Sequence, residues 1–186
     1  MKTLKITQKD LNANNEYIGK MDVTNFNGNI EIDESLGCVL FKSISVTGYL
    51  WARAGSGIEA GSGIEAGSGI EAGLGIEAGS GIKAGLGIEA GSGIKAGLGI
   101  KAGLSITCRL SLKITKRIFA GLAIWKDSKE IQDSEKTITC GKLESGEVCY
   151  GILKEVGMPK EKKEIDLSGK EVSVTVDGKT YRAIIK

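Results

Sequence analysis

Apolar and polar positions alternate along the middle of the chain with almost no error. From Ile30 to Ile124, even-numbered positions read Ile, Ala and Ser or Leu, while odd-numbered ones read Gly and Glu or Lys. The chief exceptions are Glu34, Lys42 and Lys116. Side chains of a strand point to opposite faces with period two, so this pattern predicts strands with one parity inside. Between Gly55 and Ala102 the pattern sharpens into eight copies of G-[SL]-G-I-[EK]-A, with isoleucine at 58, 64, 70, 76, 82, 88, 94 and 100. Six is even, so the repeat never changes parity. The isoleucine slot continues at Ile106, Leu112, Ile118 and Ile124, and upstream at Leu40, Val46 and Ala52. In a helix, residues six apart would spiral around the axis, and each interior glycine would cost about 1 kcal/mol. A Gly/Ser linker has no reason to keep an isoleucine in register.

Strands so rich in glycine are weak singly and gain stability by stacking identical coils. The fold class expected is all-β: a β-solenoid (β-helix) of six-residue repeats. An N-terminal cap is expected over residues 1–29, the solenoid over 30–126 and a small C-terminal β-hairpin module over 127–186. Leucine replaces serine at 74, 86, 98, 110 and 122, always twelve apart. That spacing favours a flattened coil of two hexads, six coils over 54–125 standing about 29 Å tall at the inter-strand spacing. A triangular coil of three hexads is the alternative, with the leucines rotating between corners. The odd-position glycines are expected at corners that need φ > 0. Near the end, TITCGKLESGEVCYG predicts a hairpin turning at Ser145-Gly146. EVSVTVDGKTYRAIIK predicts a second hairpin at Asp177-Gly178, pairing Val174 with Tyr181 and Val172 with Ala183. MPKEKKEID between them reads as a charged link.

Composition narrows the chemistry. The chain has 186 residues, 41% hydrophobic but only 5% aromatic, so its core is aliphatic. Twenty-five basic residues against 23 acidic give a net charge of +2, which argues against a nucleic-acid partner. Histidine is absent, which removes the usual general base, the commonest metal ligand and any Ser-His or Cys-His pair. No catalytic, cofactor-binding or metal-binding residue is expected, and no cofactor. MKTLKITQKD lacks the apolar core of a signal peptide, and no apolar run could cross a membrane as a helix, so a cytoplasmic location is expected. Of the four cysteines, Cys38 and Cys108 have inward parity and read as core filling, while Cys140 and Cys149 could face each other across a hairpin but read rather as ordinary packing.

Surface chemistry is concentrated in the outward rank. Glu59, Glu65, Glu71, Glu77 and Glu89 fill it early, and Lys83, Lys95 and Lys101 follow. That order predicts an outer face acidic toward the N-terminal end and basic toward the other. It could relieve like-charge stacking, or form a bipolar surface that docks a partner or another copy. Candidate interface residues are Trp51, Lys83, Lys95, Lys101, Arg109, Lys113, Arg117, Trp125 and Tyr181. A homo-oligomer, with a dimer favoured, is compatible with this surface.

The run GSGIEAGLGIEAGSGIKAG, closing in LSITCRLSLKITKRIFAGLAIW and TCGKLESGEVCYG, resembles small glycine-rich repeat proteins encoded by bacteriophages and prophages. The likeness covers about residues 40–151. More distantly, the stacked ladders resemble bactofilins, polymerising β-helix proteins whose repeats lack this strict hexad. The phage resemblance implies a protein partner in the bacterial cytoplasm: a host defence complex, such as a CRISPR effector, blocked by occupying its surface. A self-assembling scaffold is the alternative. Hexapeptide acyltransferases share the periodicity but depend on a histidine that this chain lacks.

Overall fold

A computed structural model describes residues 1–127 and 129–159, and the backbone of strands Glu171–Val176 and Lys179–Ile184. Each repeat isoleucine pairs with the residue eighteen positions on. Ile58 stacks on Ile76, then Ile94 and Leu112; Ile64 on Ile82, Ile100 and Ile118; Ile70 on Ile88 and Ile106. The coil is therefore three hexads and triangular, and the twelve-residue coil is excluded. Each hexad supplies one three-residue strand, I-[EK]-A, and one corner, G-[SL]-G. Leu74, Leu86 and Leu98 consequently occupy three different corners. Their twelve-residue spacing is uninformative about coil size because they do not meet across the core: Leu98 is 48% exposed.

Three parallel faces result, winding about seven turns. Face I holds Thr3–Ile6, Asn29–Ile32, Leu50–Ala52, Ile70–Ala72, Ile88–Ala90, Ile106–Cys108, Thr137–Cys140 and Ile152–Glu155. Face II holds Gly37–Phe41, Ser56–Ala60, Ile76–Ala78 and Ile94–Ala96, and face III Ile44–Val46, Ile64–Ala66, Ile82–Ala84 and Ile100–Ala102. Two long strands, Ser111–Phe119 and Lys142–Tyr150, then run across both faces II and III. Inside, the isoleucines and alanines of the repeat form continuous buried columns. Burying each isoleucine contributes roughly 1.5–3 kcal/mol, and stacking repeats that gain coil after coil.

The repeat glycines do not adopt the left-handed conformation expected of them; positive φ occurs at Gly55 and Gly146, for example, and at no repeat glycine from 57 to 103. They serve close approach instead. Gly85 N–H donates to the Ala66 carbonyl at 3.0 Å and Leu86 N–H to the Ser68 carbonyl at 3.0 Å, so coil-to-coil bonding continues through the corner. A Cβ on Gly85 would penetrate the Gly67 carbonyl of the coil below, and Gly79, Gly91, Gly97 and Gly103 are alike. The second corner glycine is less constrained: a Cβ on Gly87 would lie 3.3 Å from the Ser105 carbonyl. Ser105, Ser111 and Arg117 themselves stand in that second position one coil above Gly87, Gly93 and Gly99.

Toward the N-terminus the slots shift. Coils lengthen to nineteen or twenty residues, as Val39 pairs with Ile58, Ile44 with Ile64 and Leu50 with Ile70. Val39, Ile44 and Leu50 thus hold the isoleucine slot, whereas Val46 and Ala52 stack on alanines and Leu40 stacks on Glu59 in the outward rank. Residues 1–29 form a first irregular coil: Thr3–Ile6 joins face I, Glu16 bridges to Leu40 and Phe26 to Val46. Ile6, Leu11, Val23 and Phe26 are its buried hydrophobic side chains.

At the other end the chain leaves the ladder after Phe119. Ile124 is 94% exposed, and its expected slot above Ile106 is taken by Ile138. The hairpin expected at Ser145-Gly146 does not form, and the solenoid runs past residue 126. Thr137–Cys140, Lys142–Tyr150 and Ile152–Glu155 all pair parallel with the coil beneath. Gly146, at φ 117°, lies over Ile114 and Ile118 and bends the strand around a corner where a hairpin would have reversed it. Glu171–Val176 and Lys179–Ile184 do form an antiparallel pair in the expected register, Val174 with Tyr181 and Val172 with Ala183. The Asp177-Gly178 turn, and the charged link from Lys160 onward, lie outside the described residues.

The two corner glycines should respond differently to one methyl group. Gly85→Ala is expected to destabilise by about 1–3 kcal/mol, as forced overpacking does. Gly87→Ala should be neutral within about 0.5 kcal/mol or slightly stabilising through the unfolded chain. Urea-unfolding midpoints of the two variants check this.

Candidate functional site

Only the middle residue of each three-residue strand projects outward, so stacking turns the sequence into three columns of surface side chains. Face II reads Leu40, Glu59, Glu77, Lys95, Lys113 and Ser145 from the N-terminal end. Face III reads Ser45, Glu65, Lys83, Lys101, Phe119 and Tyr150. Face I reads Lys5, Glu31, Trp51, Glu71, Glu89, Thr107, Thr139 and Lys154. The acidic-to-basic order is therefore a property of faces II and III. Face I stays acidic through its middle.

Within the columns, like charges are direct neighbours. Glu59 stacks on Glu77, Glu71 on Glu89, Lys83 on Lys101 and Lys95 on Lys113. Faces II and III each contain one junction of opposite sign, and both junctions are ion pairs: Lys83 with Glu65 and Lys95 with Glu77. Glu77 raises the Lys95 ammonium above its ordinary range, through their hydrogen bond first and their charge second. Unit charges one coil apart repel by about 0.8 kcal/mol even in water. Alternating Glu and Lys would have removed that repulsion, so relief of like-charge stacking does not explain the order.

The candidate residues fall on different faces. Lys83 and Lys101 lie on face III, and Arg117 enters the same face from the corner it shares with Lys116. Lys101, Lys116 and Arg117 border a shallow groove lined by Ile82, Leu98, Ile100 and Phe119, and Lys83 lies one coil below Lys101. Lys95 and Lys113 lie on face II, and exposed Arg109 occupies the corner between faces I and II. Trp51 belongs to face I, where the Arg53 guanidinium lies 4.6 Å from its ring. Arg53 also reaches Glu31 at 3.1 Å, and the Tyr49 hydroxyl donates to the other Glu31 oxygen at 2.6 Å. The tyrosine bond, then the arginine, hold the Glu31 carboxyl below its usual range, and the same carboxylate pushes the Tyr49 phenol up. Trp125 stands outside the ladder in the segment after Phe119, its ring edge against the corner at Gly103. Tyr181 lies in the strand Lys179–Ile184, described by its backbone alone.

Leu98 and Phe119 were not among the sequence candidates. Inward parity assigned Leu98 to the core, yet corner geometry turns it out. Phe119 has odd parity and pairs with Lys101 in the outward rank, so the alternation is the signal that could have found it. Among the described residues no three of Cys, Asp and Glu converge as a metal centre would require, and no helix is long and apolar enough to cross a membrane.

Cysteine placement follows the expectation at Cys108 and departs from it at Cys38. Cys38 is exposed, because the Val39 register reverses parity in its strand. Cys108 and Cys140 are buried on face I, and Cys149 is exposed on another strand, so Cys140 and Cys149 do not pair. Burial, then the neighbouring Cys140, pushes the Cys108 thiol up to about 12. A thiol-reactive dye at neutral pH is expected to label Cys38 and Cys149 in the folded protein and all four cysteines only after denaturation; peptide mapping of the labelled sites checks it.

Compared with known proteins, the chain matches no family model, no curated protein and no solved structure.

Proposed function

We propose that this chain is a non-catalytic, protein-binding β-solenoid. It occupies an acidic surface of its partner with the basic end of face III. The observation that carries this reading is the stacking of Lys83 directly on Lys101, with Lys116 and Arg117 lining the same groove as Lys101, together with exposed Leu98 and half-buried Phe119. Stability alone favours dispersing such charges, whereas a complementary partner gains from having them gathered. Leu98 and Phe119 supply the apolar centre that a cationic rim surrounds in a protein interface. The acidic middle of face I and the acidic N-terminal ends of faces II and III oppose a polyanion wrapping the molecule. The resemblance to phage-encoded repeat proteins directs the partner toward a host defence complex in the bacterial cytoplasm, inhibited in the anti-CRISPR manner by surface occlusion.

The alternative is a self-assembling scaffold. It is favoured by the last coil, where Ile152 and Leu153 remain exposed at the end of the stack. The two readings diverge in one set of measurements. In bacteria carrying an active CRISPR system, expression of the chain is expected to restore plaquing of a targeted phage, and the purified chain to bind the effector complex. K83E/K101E/R117E should weaken that binding by about tenfold or more, since attraction becomes repulsion at three sites. Unchanged phage restriction, together with light-scattering mass that keeps growing with concentration, would replace the inhibitor with the scaffold.

A further inference from the structure

Face II carries a charge column that is its own complement. From the N-terminal end it reads Glu59, Glu77, Lys95, Lys113, each stacked on the next. Reversed, it reads Lys, Lys, Glu, Glu. The geometry points to face II as a homodimer interface, in which two copies lie side by side with their solenoid axes antiparallel. A two-fold axis between the Glu77 and Lys95 levels then sets Glu59 against Lys113 of the second copy and Glu77 against its Lys95. The repeated ladder keeps these four side chains in line at about 4.8 Å spacing, so all contacts are satisfied by one placement.

The orientation follows from charge order. Parallel docking would place Glu on Glu and Lys on Lys throughout. The flanking members cause no conflict, because Leu40 comes opposite Ser145. Neither other face matches four charges in this way. Reversed about its Glu65–Lys83 junction, face III pairs those two residues alone and leaves Lys101 opposite Ser45, and reversing face I sets Glu71 against Glu89 and Lys5 against Lys154. Beside the face II column Gly75 and Gly93 form a strip bare of side chains, continued by Gly57 under the Cys38 thiol at one end and closed by Ser111 at the other. In the antiparallel arrangement the two strips face each other and leave room for the long side chains to interleave. An isologous contact of this kind closes at two copies and does not propagate.

Arranged so, the like-charge neighbours acquire a role. The Lys95–Lys113 and Glu59–Glu77 pairs that repel within one chain each meet two opposite charges of the other, converting isolated surface pairs into an eight-charge network. Face III, with its basic groove, remains open for the partner of the preceding section, and neither interface depends on the other.

Sedimentation velocity tests the arrangement. The wild-type chain is expected to be a dimer at low salt, with a dissociation constant that rises about tenfold or more by 0.5 M salt. E59K/E77K carries four lysines in the column and K95E/K113E four glutamates, so each should be monomeric alone. An equimolar mixture should recover a dimer containing one of each. Because four stacked like charges could impair folding, E59Q/E77Q/K95Q/K113Q provides a second arm: it removes the repulsion, so it should fold and be monomeric. K83E/K101E/R117E should remain dimeric, which separates this interface from the partner-binding surface. A wild-type chain that stays monomeric at low salt overturns the proposal, as does a glutamine variant that dimerises as tightly as wild type.

Discussion

The coil can close only if its backbone returns to hydrogen-bonding distance above itself at the corners, and the first glycine of each corner makes that possible. A side chain there would enter the carbonyl of the coil below, as Gly85 over Gly67 illustrates. Once the corners stack, everything else stacks with them: isoleucine on isoleucine within, and each outward residue on its counterpart eighteen positions away. Arg109 takes the place of that glycine with the corner kept, but where Thr115 does so the three-residue strands give way to the nine-residue strand Ser111–Phe119, which crosses the corner between faces II and III. The next coil keeps that wider form in Lys142–Tyr150, with Gly146 at its bend.

Strict vertical stacking removes a freedom that most surfaces have. A charge on the outer rank cannot choose its neighbour, because the neighbour is set by the coil length. The same eight hexads would form different columns at twelve residues per coil. At eighteen, Glu59 and Glu77 coincide, as do Lys95 and Lys113. Arranging charge along the axis therefore requires only exchanges between Glu and Lys at one position of the hexad, with no change to the core. This separates the sequence positions that hold the fold from those that shape its surface, and it explains how a chain with a nearly invariant core can carry three chemically different faces.

Alternation and the even repeat made the parallel solenoid legible, since parity survives at any number of hexads per coil. Coil length was not legible, because parity is blind to it and the Ser/Leu alternation concerns corners that never meet. Parity also failed where residues were added in odd numbers. Nineteen residues separate Val39 from Ile58, and that single odd step turns Cys38 outward. At the other end the chain departs after Phe119 and re-enters at Thr137, so Ile124 kept its count while losing its place. The Ser145-Gly146 pair looked like a reversal, but glycine at positive φ serves a bend equally well. Which of the two forms is decided by the coil beneath, which offered Leu143 and Val148 continuous partners in Leu112 and Ile118. Of the candidate surface residues, the lysines were visible as outward; their grouping by face was not, because grouping needs the coil length.

The ends of the stack bear on how such a molecule associates. A solenoid that terminates in a flat layer of unpaired strands invites another to pair with it. The last described coil carries Lys142, Glu144, Glu147, Lys154 and Glu155 exposed along its strands, which opposes close edge-to-edge pairing although Ile152 and Leu153 are uncovered there. At the opposite end, Thr3–Ile6 forms the outer strand of face I and has Lys5 in its outward rank. Charges at both ends hinder end-to-end growth, while face II, whose four-charge column complements itself, lies on the side. Lateral association of a closed kind is thus the mode that the charge placement favours, and it leaves the length of the solenoid fixed by its sequence.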